Sequence, residues 1–118
     1  MGYTTHFRGA FVFDKALTKG QQKELEDVVS QENVEFRGES LRYCQWIPNE
    51  EGTALEWDYG EKFYQYIEWL EYLVEAFFKP EGVKLNGTVQ WQGEETGDVG
   101  KIVVKNNKVK IVEPKWEE

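Results

Sequence analysis

The sequence is poor in the residues that most often carry chemistry. It has one cysteine, Cys44, and one histidine, His6. A single cysteine cannot form an internal disulfide, and a single histidine excludes metal sites built on two histidines. The HExxH, CxxC, P-loop and GxGxxG motifs are also absent. We therefore predict a non-enzymatic protein that carries no cofactor.

Long apolar runs are missing as well. No stretch approaches the roughly 18–20 apolar residues that cross a bilayer, and the first residues lack the apolar segment of a signal peptide. We expect a cytoplasmic protein without membrane contact.

Positive charge is scarce, with 14 Lys and Arg against 22 Asp and Glu, for a net charge of −8. Binding to a phosphate backbone depends on many Lys and Arg contacts, so this balance argues against general nucleic-acid binding. The charge is uneven, because residues 1–80 carry 15 acids and 8 bases whereas residues 81–118 carry 7 acids and 6 bases.

Aromatic residues are abundant, with five Trp, six Tyr and seven Phe among 118 residues. Such side chains bury large areas, and this length suits one core rather than two. We predict a single domain over residues 1–118.

Local patterns place the first elements. Alternation over residues 3–13 predicts a strand, with Gly9 marking a bulge or close packing. Thr18 and Gln21 form a capping-box pattern that begins a short helix. Residues 31–40 indicate a loop with a short extended piece, and residues 41–47 and 54–58 indicate a hairpin.

A second helix is predicted over residues 60–79. Asp58 and Glu61 are spaced to cap its start, and Pro80 and Gly82 indicate its end. An apolar stripe at helical spacing supports it: Phe63, Ile67, Leu70, Val74 and Phe77.

The C-terminal part predicts a three-stranded meander. An Asn106–Asn107 turn would pair Val104 with Val109 and Ile102 with Ile111. The predicted order is βαββαβββ, an α+β fold whose antiparallel sheet has both helices on one face.

Two surfaces and one cluster are candidate sites. Glu56, Asp58 and Glu61 are spaced to hold a metal ion or to act as acid and base, or else Asp58 and Glu61 simply cap the helix. The outer sheet face should display cations and an aromatic ring that suit a nucleotide-like anion, or else it is an ordinary solvated face: His6, Arg8, Arg42, Trp46 and Lys101.

The second surface is the acidic, aromatic side of the second helix. Exposed aromatics among carboxylates are typical of protein interfaces. The expected partner is a host protein or, by two-fold symmetry, a second copy in a homodimer; the alternative is that residues 31–40 cover these side chains. The predicted protein-binding residues are Tyr64, Glu68, Trp69, Tyr72 and Glu75.

Five motifs resemble a family of small hypothetical proteins from phages, prophages and bacteria. They are GYTTxFxGxF from residue 2, CQWIPNExG from residue 44, WDxGEKFY from residue 57, EWL from residue 68 and LNGxVxWQGE from residue 85. Relatives of this kind carry a longer, more basic insert where this chain has residues 15–41. The family has no established activity, so the resemblance implies a phage or bacterial host cytosol and no catalytic residues.

Three functions follow as expectations. The first is a binding protein of phage type, an inhibitor or counter-defence factor that acts through its acidic helix surface. The second is a protein that binds or sequesters a nucleotide-like anion. The third is a small metal-dependent hydrolase.

Overall fold

The computed structural model describes residues 4–60 and 63–112. It is an α+β fold with an antiparallel sheet, as predicted. The strands are β1 (His6–Phe13), β2 (Glu32–Phe36), β3 (Glu39–Tyr43), β4 (Trp46–Pro48), β5 (Ala54–Trp57), β6 (Leu85–Gln92), β7 (Val99–Lys105) and β8 (Lys108–Val112). The helices are α1 (Lys19–Val29) and α2 (Tyr66–Leu73), and α2 runs on through a π-helical turn (Val74–Phe78) into a last turn (Lys79–Glu81).

Six strands form the main sheet in the order β4-β5-β1-β6-β7-β8. The predicted meander is confirmed, including its register, because Val104 pairs with Val109 and Ile102 pairs with Ile111. Asn106 and Asn107 have φ of 48° and 72°, the positive values that a two-residue hairpin turn needs.

Two glycines let β1 and β6 pack closely at the centre of the sheet. Gly9 has φ of 108°, and a Cβ there would lie 2.7 Å from the Thr88 carbonyl oxygen. Gly87 has φ of 142° and would meet the Ala10 carbonyl oxygen at the same distance. The predicted close packing at Gly9 is confirmed.

One face of the sheet and both helices share the hydrophobic core. Phe63, Leu70, Val74 and Phe77 of the predicted stripe are buried, and Ile67 is half-buried. The capping box at Thr18 is present, since its side chain accepts from the Gln21 N–H and the Gln21 side chain accepts from the Thr18 N–H. No helix in the described ranges has the length and apolar character needed to cross a bilayer.

The predicted start of the second helix was wrong, and the helix runs two residues past the predicted residue 79 to the expected stop at Gly82. The helix begins at Tyr66 rather than residue 60, and Asp58 accepts a hydrogen bond from the Gly60 N–H at 2.7 Å instead of capping it. Pro80 lies inside the last turn, which ends at Gly82 with φ of 68°. Proline lacks the N–H for an ordinary helical bond and crowds the preceding turn, and the wider π turn before it provides room.

The prediction for residues 31–47 was right in part. The expected extended piece lies within β2, and the expected hairpin with residues 54–58 is present as the pairing of β4 with β5. The loop over residues 31–40 and the single strand over residues 41–47 were wrong. Residues 32–43 form a separate two-stranded sheet, β2–β3, that turns at Arg37 and Gly38 with φ of 51° and 81°. Residues 41–47 are not one strand, because β3 ends at Tyr43 and β4 begins at Trp46 in the main sheet. The element order therefore gains two strands relative to βαββαβββ.

Candidate functional site

The predicted protein-binding surface on α2 lies largely beneath the β2–β3 hairpin. Trp69 is fully buried and Tyr72 is half-buried. The Tyr72 ring packs edge-on against Phe36 with centroids 5.4 Å apart, and its hydroxyl donates to Gln31 Oε1 at 2.8 Å. The prediction that Trp69 and Tyr72 are surplus to the core was wrong, because Trp69 belongs to the buried core and residues 31–40 contact Tyr72.

Arg37 of the same hairpin also forms ion pairs with carboxylates on α2 and on the π-helical turn that follows it. Arg37 lies 3.4 Å from Glu71 and 4.0 Å from Glu75, and Lys79 lies 2.9 Å from Glu75. Glu68 is half-buried. Among the aromatic residues of the predicted protein-binding set, Tyr64 is the exposed one, at 61%. The helix surface thus retains few of the anchors that the sequence suggested.

Hydrogen bonds between the Gln65 side chain and the hairpin backbone also hold the hairpin in place. The Gln65 side chain donates to the Ser40 carbonyl at 2.8 Å and accepts from the Arg42 N–H at 3.1 Å. Arg42 therefore belongs to β3, outside the main sheet. Its predicted position beside Arg8 on the outer face was wrong.

Trp46 was likewise placed on the wrong face. It is fully buried, its ring packs against Phe7 and Phe11, and its Nε1–H donates to the Tyr66 carbonyl at 2.9 Å. The break between β3 and β4 turns this side chain inward. It belongs to the core and cannot stack on an outer-face ligand.

The carboxylate cluster is not assembled by the described residues. Glu56 is exposed on the outer face of β5, and the Asp58 carboxylate is engaged by the Gly60 N–H. Glu61 lies outside the described residues. Within 4–60 and 63–112, no group of three or more His, Cys, Asp or Glu side chains converges as metal ligands would.

Cys44 lies in a setting that suppresses nucleophilic chemistry. Burial raises the pKa of its thiol to about 12, although a backbone hydrogen bond with Trp46 lowers that pKa in part. The protonated thiol donates to the Trp46 carbonyl oxygen at 3.5 Å. Thiolate is the reactive form of cysteine, so this side chain is a small apolar group at neutral pH.

An open depression of about 1350 Å³ lies at one end of the outer sheet face. His6, Arg8 and Lys101 of the predicted ligand-binding set line it, together with Gln90. Alternation along the strands thus located three members of this surface correctly, whereas Arg42 and Trp46 lie elsewhere.

The floor of the depression is a row of side chains on adjacent strands. Arg8 of β1 pairs with Gln90 of β6, which in turn pairs with Lys101 of β7. Because neighbouring strands are about 4.8 Å apart, the two cations start roughly 10 Å from each other with an amide between them. Neither Arg8 nor Lys101 forms an ion pair with a described residue.

Aromatic rings form one wall of the depression. Trp57 contacts Tyr59 with ring centroids 4.9 Å apart, and His6 meets Trp57 edge-on at 5.8 Å. A hydrogen bond fixes the Trp57 ring, since its Nε1–H donates to Gln45 Oε1 at 3.1 Å. Tyr59 is 81% exposed, so its ring is available for stacking.

Tyr59 adopts a backbone conformation that is uncommon for its residue type. Its φ is 65°, in the left-handed region that bulky residues rarely occupy. The Asp58 carboxylate bonded to the Gly60 N–H and the Asp58 N–H bonded to the Gln45 carbonyl at 2.9 Å hold this turn. Residues with strained backbones often lie at functional sites. The sequence did not reveal the strain at Tyr59, although the WDxG motif contains this residue.

The far wall of the depression contains the WQGE segment. Trp91 lies across Gly100, where a Cβ would overlap its ring, and its Nε1–H donates to Asp98 Oδ1 at 3.1 Å. Glu94 accepts from the Thr4 N–H at 2.6 Å. Glu56 and Glu94 therefore place two carboxylates at the rim, beside the cations of the floor.

Comparisons of this chain with protein-family models, with curated proteins and with solved structures gave no significant match.

Proposed function

We propose that this chain is a non-enzymatic binding protein that holds a nucleotide-like anion in the depression on the outer sheet face. The observation that carries the proposal is the row Arg8–Gln90–Lys101 on three adjacent strands, beside the ring wall of Trp57 and Tyr59. Two cations, an amide and an exposed ring are the groups that recognise phosphate and base together.

Each group has a distinct task in this proposal. The Arg8 guanidinium and the Lys101 ammonium neutralise phosphate oxygens, and the Gln90 amide donates to an oxygen between them. The base stacks on the Tyr59 ring, which Trp57 supports. Glu56 at the rim can accept from a ribose hydroxyl or from an exocyclic amine, which would distinguish a nucleotide from inorganic phosphate.

Binding without turnover is supported by the state of the reactive groups that the structure describes. The Cys44 thiol has a raised pKa, and the described carboxylates do not gather around a common point. Sequestration of a nucleotide also suits the small accessory proteins of phage type that the sequence motifs resemble.

Calorimetric titration with a panel of mono-, di- and cyclic nucleotides tests the proposal. Binding should weaken as salt rises, because it depends on charge, and Arg8→Ala should lower the affinity at least tenfold. Arg42→Ala is the matched control, since it removes an exposed arginine from β3 and should leave the affinity unchanged. Absence of heat across the panel at low salt, or equal losses in both variants, would refute the proposal.

A further inference from the structure

The charge of the molecule is segregated by element. Strands β1, β6, β7 and β8 contain no Asp or Glu, whereas they carry five cations: Arg8, Lys101, Lys105, Lys108 and Lys110. The whole chain has 22 acids, and those that the structure describes lie on β5, the hairpin, the helices and the loops. A protein of net charge −8 therefore presents one cationic sheet face.

The lysines extend the floor of the depression along the sheet. Lys105 pairs with Lys108, and Val103 pairs with Lys110, so strand alternation places these lysines on the same outer face as Lys101. We name Lys101, Lys105, Lys108 and Lys110 the lysine stripe, and all four are exposed. Lys101 and Lys105 are about 13 Å apart along β7, at roughly 3.3 Å per residue.

Protection of a sheet edge explains part of this stripe and not the rest. Lysines on an edge strand discourage pairing with another chain, and β8 is an edge strand. Lys101 and Lys105 lie on β7, which is an interior strand. Moreover, Lys105 and Lys108 are directly opposite each other, an arrangement of like charges that destabilises a sheet unless an anion lies over it.

We infer that the ligand of this face is a short single-stranded oligonucleotide, with one base on Tyr59 in the depression and its backbone along the lysine stripe. This inference rests on the proposed function and extends it from one nucleotide to several. A stacking ring at one end of a cationic track is the arrangement by which proteins bind single strands. A longer strand gains nothing, because beyond the sheet face it meets the acidic remainder of the molecule.

Fluorescence anisotropy with labelled oligothymidylates and oligouridylates of one to eight nucleotides tests this inference. Affinity should rise at least tenfold between one and four nucleotides and then level off. The variant Lys105→Gln/Lys110→Gln should lose most of that gain and keep the mononucleotide affinity. Its log–log salt slope with the tetranucleotide should be shallower by about 1.4, at about 0.7 per phosphate contact on a single strand.

The control is Lys19→Gln/Lys23→Gln, which removes two exposed lysines from α1 and should change neither affinity nor slope. The DNA and RNA series identify the preferred sugar. Binding of mononucleotides with no higher affinity for longer oligonucleotides would overturn the inference and leave the proposed function standing. Absence of binding at every oligonucleotide length would overturn both. A hexaglutamate peptide that binds as tightly as the tetranucleotide would show simple charge attraction and overturn the inference as well.

Discussion

At the scale of single residues, the site depends on side chains whose surroundings the sequence does not reveal. Tyr59 is held at φ of 65° by hydrogen bonds of its neighbours, and no local pattern announces such a conformation in a tyrosine. Trp46 and Trp69 were predicted to be exposed binding residues, yet both side chains are fully buried. The outer-face positions of Arg8 and Lys101 were predictable, because simple alternation along well-paired strands determines their face.

Gly9 should be intolerant of a side chain. Its φ is 108°, and a Cβ at this position would lie 2.7 Å from the carbonyl oxygen of Thr88, so alanine is strained there. We expect Gly9→Ala to lower the free energy of unfolding by more than about 1 kcal/mol, measured by urea denaturation. Gly20→Ala is the control, since a Cβ at that position in α1 meets only the Thr18 side chain at 3.9 Å and should be neutral or stabilising. Equal stabilities of the two variants would contradict the close packing of β1 and β6.

Cys44 should be inert in the folded protein. With burial raising its thiol pKa to about 12, almost no thiolate is present at pH 8, and thiolate is the form that is alkylated. Iodoacetamide should leave the native protein unmodified over hours, as measured by intact mass, and should label it fully in denaturant. Rapid labelling of the native protein would show that this thiol is open to solvent.

At the scale of elements, the hairpin β2–β3 is where sequence reasoning failed. Its apolar signal is thin, with Val34 and Phe36 half-buried and Leu41 buried, and turn chemistry at Arg37 is unusual because a non-glycine residue has positive φ there. The meander β6–β8 was predictable down to its register, since regular alternation and an Asn–Asn turn specify the same pairing.

Leu41 should anchor the hairpin on α2. It is fully buried in the core, so Leu41→Ala should cost roughly 2–5 kcal/mol of stability. If the hairpin detaches before the rest unfolds, hydrogen exchange of residues 32–43 should accelerate more than that of the main sheet. Leu70→Ala, within α2 itself, is the comparison and should accelerate exchange throughout. A Leu41→Ala loss below about 1 kcal/mol would contradict the burial of Leu41 in the core.

The junction of α1 with the last turn of α2 should respond to pH. The pKa of Glu24 is raised above 4.5, chiefly by a hydrogen bond with Glu81 and then by the repulsion between the two carboxylates. A raised pKa in an acid stabilises the fold at pH below its unfolded value, and that contribution disappears as pH rises through the folded value. At pH 7 the two charges repel, so Glu24→Gln should raise Tm at pH 7 and have little effect below about pH 4.

The matched control for that change is Glu26→Gln, which removes a carboxylate from another side of the same helix. It should shift Tm less at pH 7. A larger gain from Glu26→Gln would mean that overall charge, rather than the Glu24–Glu81 contact, governs the effect.

At the scale of the whole molecule, the central feature is the separation of charge between a cationic sheet face and an acidic helical side. Net charge alone argued against general nucleic-acid binding, and it did so because composition averages over faces that the fold keeps apart. The bases of residues 81–118 are visible in the sequence, but only the pairing of β1, β6 and β7 places Arg8 and Lys101 in one row. The function that we propose therefore moves from a helix-mediated inhibitor to a sheet-face binder.

The most direct test of this account is a two-dimensional NMR titration of ¹⁵N-labelled protein with a mononucleotide. The account predicts saturable shifts of the backbone amides of Arg8, Tyr59, Gln90 and Lys101, with the amides of α2 and the β2–β3 hairpin unmoved. Shifts confined to the hairpin and α2, or no shifts at millimolar nucleotide, would contradict it.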